Sequence, residues 1–231
     1  MGDGPFVTAR FLLAQDKMEG QAMKIYDISM MINHEMQVYK NKPEKKPEIQ
    51  IVQDFSNATC QESVVKMNVH TGTHLDANAH MFDGGSTIET IPLERLVGPA
   101  RVLDVSHVQE CVTKADLEPF NIQPDEWIIL KTRNSFTEEF DFEFVYVRED
   151  GAKYLAEIGI RGVAIDGLGI ERAQPEYPTH RSLMGKDIYI VEGLRLKDVP
   201  QGSYFMVIAP LKMEGIDAAP ARAFLIGDMQ G

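Results

Sequence analysis

The sequence predicts an α/β fold, and three observations predict it. Short β-branched and aromatic runs recur along the chain, helix-periodic segments with their own start and stop signals lie between them, and 231 residues at 44% hydrophobic content suffice for a buried core. One domain is the expected organisation, with no internal repeat and no low-complexity tract.

The elements follow in chain order. "KIYDISM", "EIQIVQDF" and "SVVKMNV" read as early strands from their alternation and β-formers. "IPLERLV" reads as a helix and "ARVLDVS" as a strand. Thr113 followed by Asp116 in "TKADLEPF" has the spacing of a capping box and predicts a helix start. "EWIILKT", "GVAIDG", "DIYIVEG" and "YFMVIAP" are the later strands. "EDGAKYLAEIG" is a helix that stops at Gly159, since glycine takes the left-handed conformation of a helix end without penalty.

Chemistry concentrates in "NVHTGTHLDANAH", residues 68–80, which holds three of the six histidines. In "SVVKMNVH" alternation puts Val65, Met67 and Val69 on one face, and His70 on the other with Val64, Lys66 and Asn68. That mixed face is a poor setting for a packed core histidine. A strand continued through Asp76 would set His70 and Asp76 about 20 Å apart, too far to share an ion whose ligands lie roughly 2.0–2.2 Å away. If they share one, the chain must curl, and Gly72 stands where the bend is needed. A helix fits less well, because Asp76 would point about 120° away from His70. Imidazole and carboxylate are ligands that zinc, manganese or ferrous iron accept, with Cys60 the nearest thiol. The bland alternative is a set of polar loop residues satisfying backbone groups.

"HTGTHLDANAH" resembles the signature of the cyclase family of metal-dependent hydrolases, His-x-Gly-Thr-His-x-Asp-x-Pro-x-His, the family of bacterial kynurenine formamidases and isatin hydrolases. Asn78 departs from it where the family has proline. The resemblance implies that His70, His74 and Asp76 bind metal and that His80 donates and accepts the proton, a further ligand role being the alternative for His80. It also demands a distant histidine with a glutamate twelve residues later, and His180 and Glu192 have that spacing. His180 lies in "EYPTHRSLMG", read as a Pro-containing loop, and Glu192 ends the strand "DIYIVEGL". The implied fold is a swivelling β/β/α-type fold with a barrel-like mixed sheet and surrounding helices, covering roughly residues 23–225. "MKIYDISMMIN" resembles the family opening, so residues 1–22 read as an N-terminal extension or leader and 23–231 as the hydrolase domain. Within the extension, "ARFLLAQDKMEG" reads as a short helix ending at Gly20. Homo-oligomers are implied as well.

Composition narrows the partners. A net charge of −12 repels a phosphate backbone, so nucleic acid is excluded, and a small-molecule substrate is expected. The dense basic segment, "KNKPEKKPE" from Lys40 to Glu48, is broken by Pro43 and Pro47 and reads as a solvated loop, with a substrate lid as the alternative. No apolar run reaches the eighteen or so residues of a membrane span, and "RFLLA" is too short for a signal-peptide core, so a cytoplasmic protein is expected. Cys60 and Cys111 form neither a disulfide framework nor a zinc pattern.

The expected cofactor is one or two divalent ions per chain, zinc first and manganese second, held by nitrogen and carboxylate ligands. Such an ion lowers the pKa of water and polarises a carbonyl, which suits cleavage of an amide, formamide or lactam C–N bond with His80 protonating the leaving nitrogen. The competing expectation is a catalytically silent binding or scaffold protein of the same fold, against which the intact His80 argues. His34 is a weaker pocket candidate, and His107, just past a strand, is expected in solvent. Asp166 either orients a ligand or caps the following turn, and is left outside the site. The tryptophan and Pro-Gly-Asp step that usually follow the opening in bacterial kynurenine formamidases are absent from "MQVYKNKPEK". Trp127 reads as core, Tyr39 as an alternative aromatic wall, and "DGLGIERAQ" departs from the usual Ser-x-Asp pattern, so a different amide or lactam is expected as substrate.

Overall fold

The structure is a computed structural model that describes residues 24–227; the expected helix ending at Gly20 lies outside them. Its strands are β1 (Ile25–Asp27), β2 (Glu48–Gln53), β3 (Glu62–Lys66), β4 (His74–Asp76), β5 (Val97–Asp104), β6 (Cys111–Val112), β7 (Trp127–Lys131), β8 (Tyr146–Val147), β9 (Gly162–Ile165), β10 (Tyr189–Glu192), β11 (Gly202–Pro210) and β12 (Ala218–Ile226). Among the described residues three α-helices join them: α1 (Lys114–Leu117), α2 (Glu149–Ile158) and α3 (Pro178–Met184).

The main sheet runs β12-β11-β5-β7-β9-β10-β4, and β4 pairs again with β12, so seven strands close into a mixed barrel; β1 lies outside that ring, against β12. The parallel block β5-β7-β9-β10 is the α/β part, and β7 and β9 are buried on both faces, as parallel strands are. Alternation along β7 divides two cores. Trp127 and Ile129 join Leu75, Val191, Met206 and Ala219 in one, while Ile128 and Leu130 join Leu155, Val163, Ile165 and Ile190 in the other, under α2 and α3. Trp127 is a core residue, and its indole N–H donates to the Arg95 carbonyl at 2.8 Å.

The Thr113–Asp116 capping box forms, and α2 ends at Gly159 in the left-handed conformation. Other expectations are corrected. "IPLERLV" makes only one 3₁₀ turn at Leu93–Arg95, because so short a run cannot sustain a helix alone and β11 recruits Val97 into β5. The strand expected through Val69 stops at Lys66, and both strands of the β2–β3 hairpin lie apart from the barrel. "EYPTHRSLMG" is not a loop: α3 starts at Pro178, where proline's missing N–H costs nothing. Strand β12 was not predicted, since Pro220 and its alanines are weak strand signals. Among the described residues no helix is long and apolar enough to cross a membrane.

Candidate metal centre

Sheet register assembles the floor of the site. In β4, His74 and Asp76 share a face while Leu75 points into the core. Glu192, at the end of β10, lies directly opposite His74, and Ala218 of β12 lies opposite Asp76. The curl expected at Gly72 is present: its φ is +64°, and Gly193, at φ +73°, packs so closely that a Cβ there would stand 2.3 Å from the Gly72 carbonyl oxygen. Any larger residue at 193 would push the ligand loop off the strand end. Helix α3 brings His180 in from the other side.

The five expected ligands converge. Asp76 Oδ1 lies 3.2 Å from His70 Nδ1 and 3.6 Å from His74 Nε2, and Asp76 Oδ2 lies 3.9 Å from His180 Nε2. Glu192 is 3.4 Å from both His74 Nε2 and His180 Nε2. Among the described residues two groupings bring potential ligand atoms within 4.8 Å of one another: His70, Asp76 and His80, and His74, Asp76 and Glu192. Asp76 belongs to both. His180 falls outside both but faces Glu192, and the presence of His80 in the first keeps its ligand alternative open.

The outer side of each imidazole explains the inner one. His70 Nε2 faces Asp217 Oδ2 at 2.9 Å, His74 Nδ1 faces the Gly72 carbonyl at 2.9 Å, and His180 Nδ1 faces Glu171 Oε2 at 2.7 Å. Carbonyls and carboxylates only accept, so each ring presents an N–H outward and, when neutral, a lone pair inward. Glu171 also accepts from the backbone N–H groups of Thr179 and His180, so the same carboxylate caps α3 and aims its histidine.

These residues fit a divalent cation on physical grounds. Asp76 and Glu192 are 2% and 5% exposed, and no lysine or arginine among the described residues pairs with either. Both Asp76 oxygens and His74 Nε2 are buried without a hydrogen bond. Glu192 Oε1 accepts from the Ile170 N–H at 2.6 Å, but buried carboxylates that no lysine or arginine neutralises, beside an imidazole nitrogen without a hydrogen bond, are costly unless a cation compensates them.

Without a cation, protons take that role. Burial alone would lower both histidine pKa values. It is outweighed by Asp76 and Asp217 around His70, pushed up to about 9, and by Glu171, Glu192 and Asp76 around His180, pushed up to about 10. Glu192 is held well below the usual carboxylate range: burial opposes this, but His180 and His74 prevail. Both histidines therefore bind protons more tightly folded than unfolded, where the value is 6.5. Their contribution to stability is complete below pH 6.5 and disappears as pH rises through 9 to 10. Metal-free protein is expected to melt at progressively lower temperature across that window, while apparent metal affinity rises. Thermal melts of chelator-treated protein in a pH series check this; a melting temperature that stays flat or climbs would contradict it.

The remaining candidates sort clearly. His80 sits on a 3₁₀ turn, Asn78–His80, and its Nδ1 is 3.3 Å from Asp217 Oδ2. Asn78, standing where proline was expected, is tied instead to Asp187 Oδ1 at 3.1 Å. His34 is exposed and does not line the cavity, which corrects its candidacy, and His107 is in solvent as expected. Asp166 is buried and accepts from Thr132, Asn134 and Ser135, so it ties down the turn after β7 rather than a ligand. Asp217 and Glu171 are the site residues that sequence reasoning missed. Each is a single acid in a Gly-Ile-acid step, too weak a signal alone.

Above the floor lies a cavity of about 280 Å³, lined by His70, His80, His180 and Glu192 below and by Tyr39, Met81, Leu168 and Tyr177 on its walls. Lys40 and Lys45, from the basic segment read as a solvated loop, also line it. Both ammonium groups lie over the Tyr39 ring, at 5.3 and 5.2 Å from its centroid, and neither has a carboxylate partner among the described residues.

The chain is similar to several known proteins. A kynurenine formamidase of Bacillus cereus is 34% identical over 161 residues, covering 69% of this chain and 77% of that protein. The solved structure of a predicted metal-dependent hydrolase from Bacillus stearothermophilus is 53% identical, covers 89% of this chain and 99% of that one, and superposes with a TM-score of 0.83. Isatin hydrolase A from Labrenzia aggregata shares the fold, with a TM-score of 0.81 at 22% identity over 94% of this chain and 98% of its own. The family model described as putative cyclase matches residues 26–172, and the chain belongs to that cyclase family.

Proposed function

We propose that the chain is a metal-dependent hydrolase that cleaves the C–N bond of a small amide, formamide or lactam, on the model of its kynurenine formamidase relatives. One observation carries the reading: three inward-turned imidazoles and two buried carboxylates that no lysine or arginine pairs with gather at the base of a cavity that His80 also lines. His70, His74, Asp76, His180 and Glu192 would hold the metal, and the double membership of Asp76 supports two ions. A divalent cation there supplies Lewis acidity, lowering the pKa of water and polarising the substrate carbonyl. Nitrogen and carboxylate donors favour zinc and also accept manganese.

The chain's own groups supply the rest. His80 turns Nδ1 toward Asp217, so Nε2 is left to take a proton from the attacking water and hand it to the departing nitrogen, which must leave as a neutral amine. Tyr39, Leu168 and Tyr177 form an aromatic and apolar wall suited to an aryl group. The unpaired Lys40 and Lys45 favour a substrate carrying a negative charge at the cavity mouth.

Turnover of N-formyl aryl amines and cyclic amides, each with and without a carboxylate, tests the reading. Hydrolysis is expected, abolished by chelator and restored by zinc or manganese, with the anionic member of each pair preferred. Lys40→Gln combined with Lys45→Gln is expected to raise KM about fivefold for the anionic substrates alone. Failure to hydrolyse any of them with metal bound would favour a silent binding protein.

A further inference from the structure

We propose that Asp217 is a positioning residue that sets the tautomers of His70 and His80 together, tying metal retention and proton transfer to a single carboxylate oxygen. This rests on the hydrolase reading above for its kinetic part only.

Asp217 is placed by the sheet. Its carbonyl accepts from the Ala77 N–H at 2.8 Å, and the next residue, Ala218, pairs with Asp76 across β12 and β4. The side chain therefore starts one residue from the ladder that carries the metal carboxylate. Its Oδ2 meets His70 Nε2 at 2.9 Å and His80 Nδ1 at 3.3 Å. Among the described residues these two imidazoles are its ion-pair partners, and no lysine or arginine claims it.

One acceptor oxygen facing two ring nitrogens fixes both rings. A carboxylate takes N–H groups, so with a cation bound at Asp76 His70 would carry its one proton on Nε2, toward Asp217, and give that cation the lone pair of Nδ1, which lies 3.2 Å from Asp76 Oδ1. By the same constraint His80 carries its proton on Nδ1 and keeps Nε2 for the substrate. The two rings touch, with centroids 4.3 Å apart. Losing the shared acceptor frees either ring to turn over or to exchange roles at the metal.

Asp217→Asn, made in the native chain and in His80→Gln, separates these effects. With metal saturating, the substitution in the native chain is expected to lower kcat about 10²-fold and to leave KM within about threefold. It should also weaken metal binding about 10- to 100-fold, measured by competition with a chromogenic chelator. In the His80→Gln background the metal effect should persist, while the residual kcat should change by less than about threefold. An equal kcat loss in both backgrounds, or unaltered metal affinity in the native background, would overturn the proposal. Long-range ¹H–¹⁵N spectra of the zinc-loaded native protein test it without any variant. They should show His70 protonated on Nε2 and His80 on Nδ1, and the opposite proton on either ring would overturn it. That readout, with the chelator competition, stands even if no amide is hydrolysed, which would count against the functional reading alone.

Discussion

Asp76→Ala is expected to strip the protein of metal and to reduce amide hydrolysis to the uncatalysed background. Asp76 is common to both ligand groupings and faces His70, His74 and His180 at 3.2, 3.6 and 3.9 Å, so no other side chain of the site touches as many potential ligands. Removing it leaves Glu192 as the one remaining carboxylate among the five, and the imidazoles lose the anion that offsets a divalent charge. The loss of Lewis acidity corresponds to several kcal/mol of transition-state stabilisation, roughly 10³-fold or more in kcat/KM. The fold should survive, because β4 is held by backbone pairing to β10 and β12 rather than by this side chain. Elemental analysis, circular dichroism and turnover on the same preparation check all three expectations. A variant that keeps full metal content would show that the ion, if bound, sits elsewhere.

His80→Gln should behave differently. A general acid that protonates a leaving nitrogen contributes typically 10²- to 10⁴-fold, so kcat is expected to fall within that range while metal content stays that of the parent. The geometry supports this split. The substitution removes only one of the three members of the grouping His70, Asp76 and His80, and the buried grouping His74, Asp76 and Glu192 does not include residue 80. Parallel assays of turnover and metal stoichiometry decide it: loss of metal together with activity would make His80 a ligand.

Much of the centre was legible because its first half is local. Three candidate ligands fall within seven residues, and sharing an ion required a bend in the strand, which Gly72 supplies. His180 and Glu192 matched the pair that the family resemblance implies, but the reason they meet is tertiary: β10 pairs with β4 in a register that sets Glu192 against His74, and α3, unrecognised behind its proline, delivers His180. Asp217 and Glu171 were not legible, since a carboxylate that aims an imidazole more than a hundred residues away, or on a neighbouring helix, leaves no local pattern. The same holds for fold closure. Strands β7, β9, β10 and β11 carry strong apolar runs and were read, whereas β12, with Pro220 and its alanines, closes the barrel through partners that periodicity does not reveal.

Anomalous diffraction at the zinc edge, from crystals of the zinc-loaded protein, locates the ion itself. At least one peak is expected roughly 2.0–2.2 Å from an Asp76 oxygen, with His74 Nε2 and Glu192 within the same coordination distance. Peaks confined to surface residues, with none touching Asp76, His74 or Glu192, would contradict it.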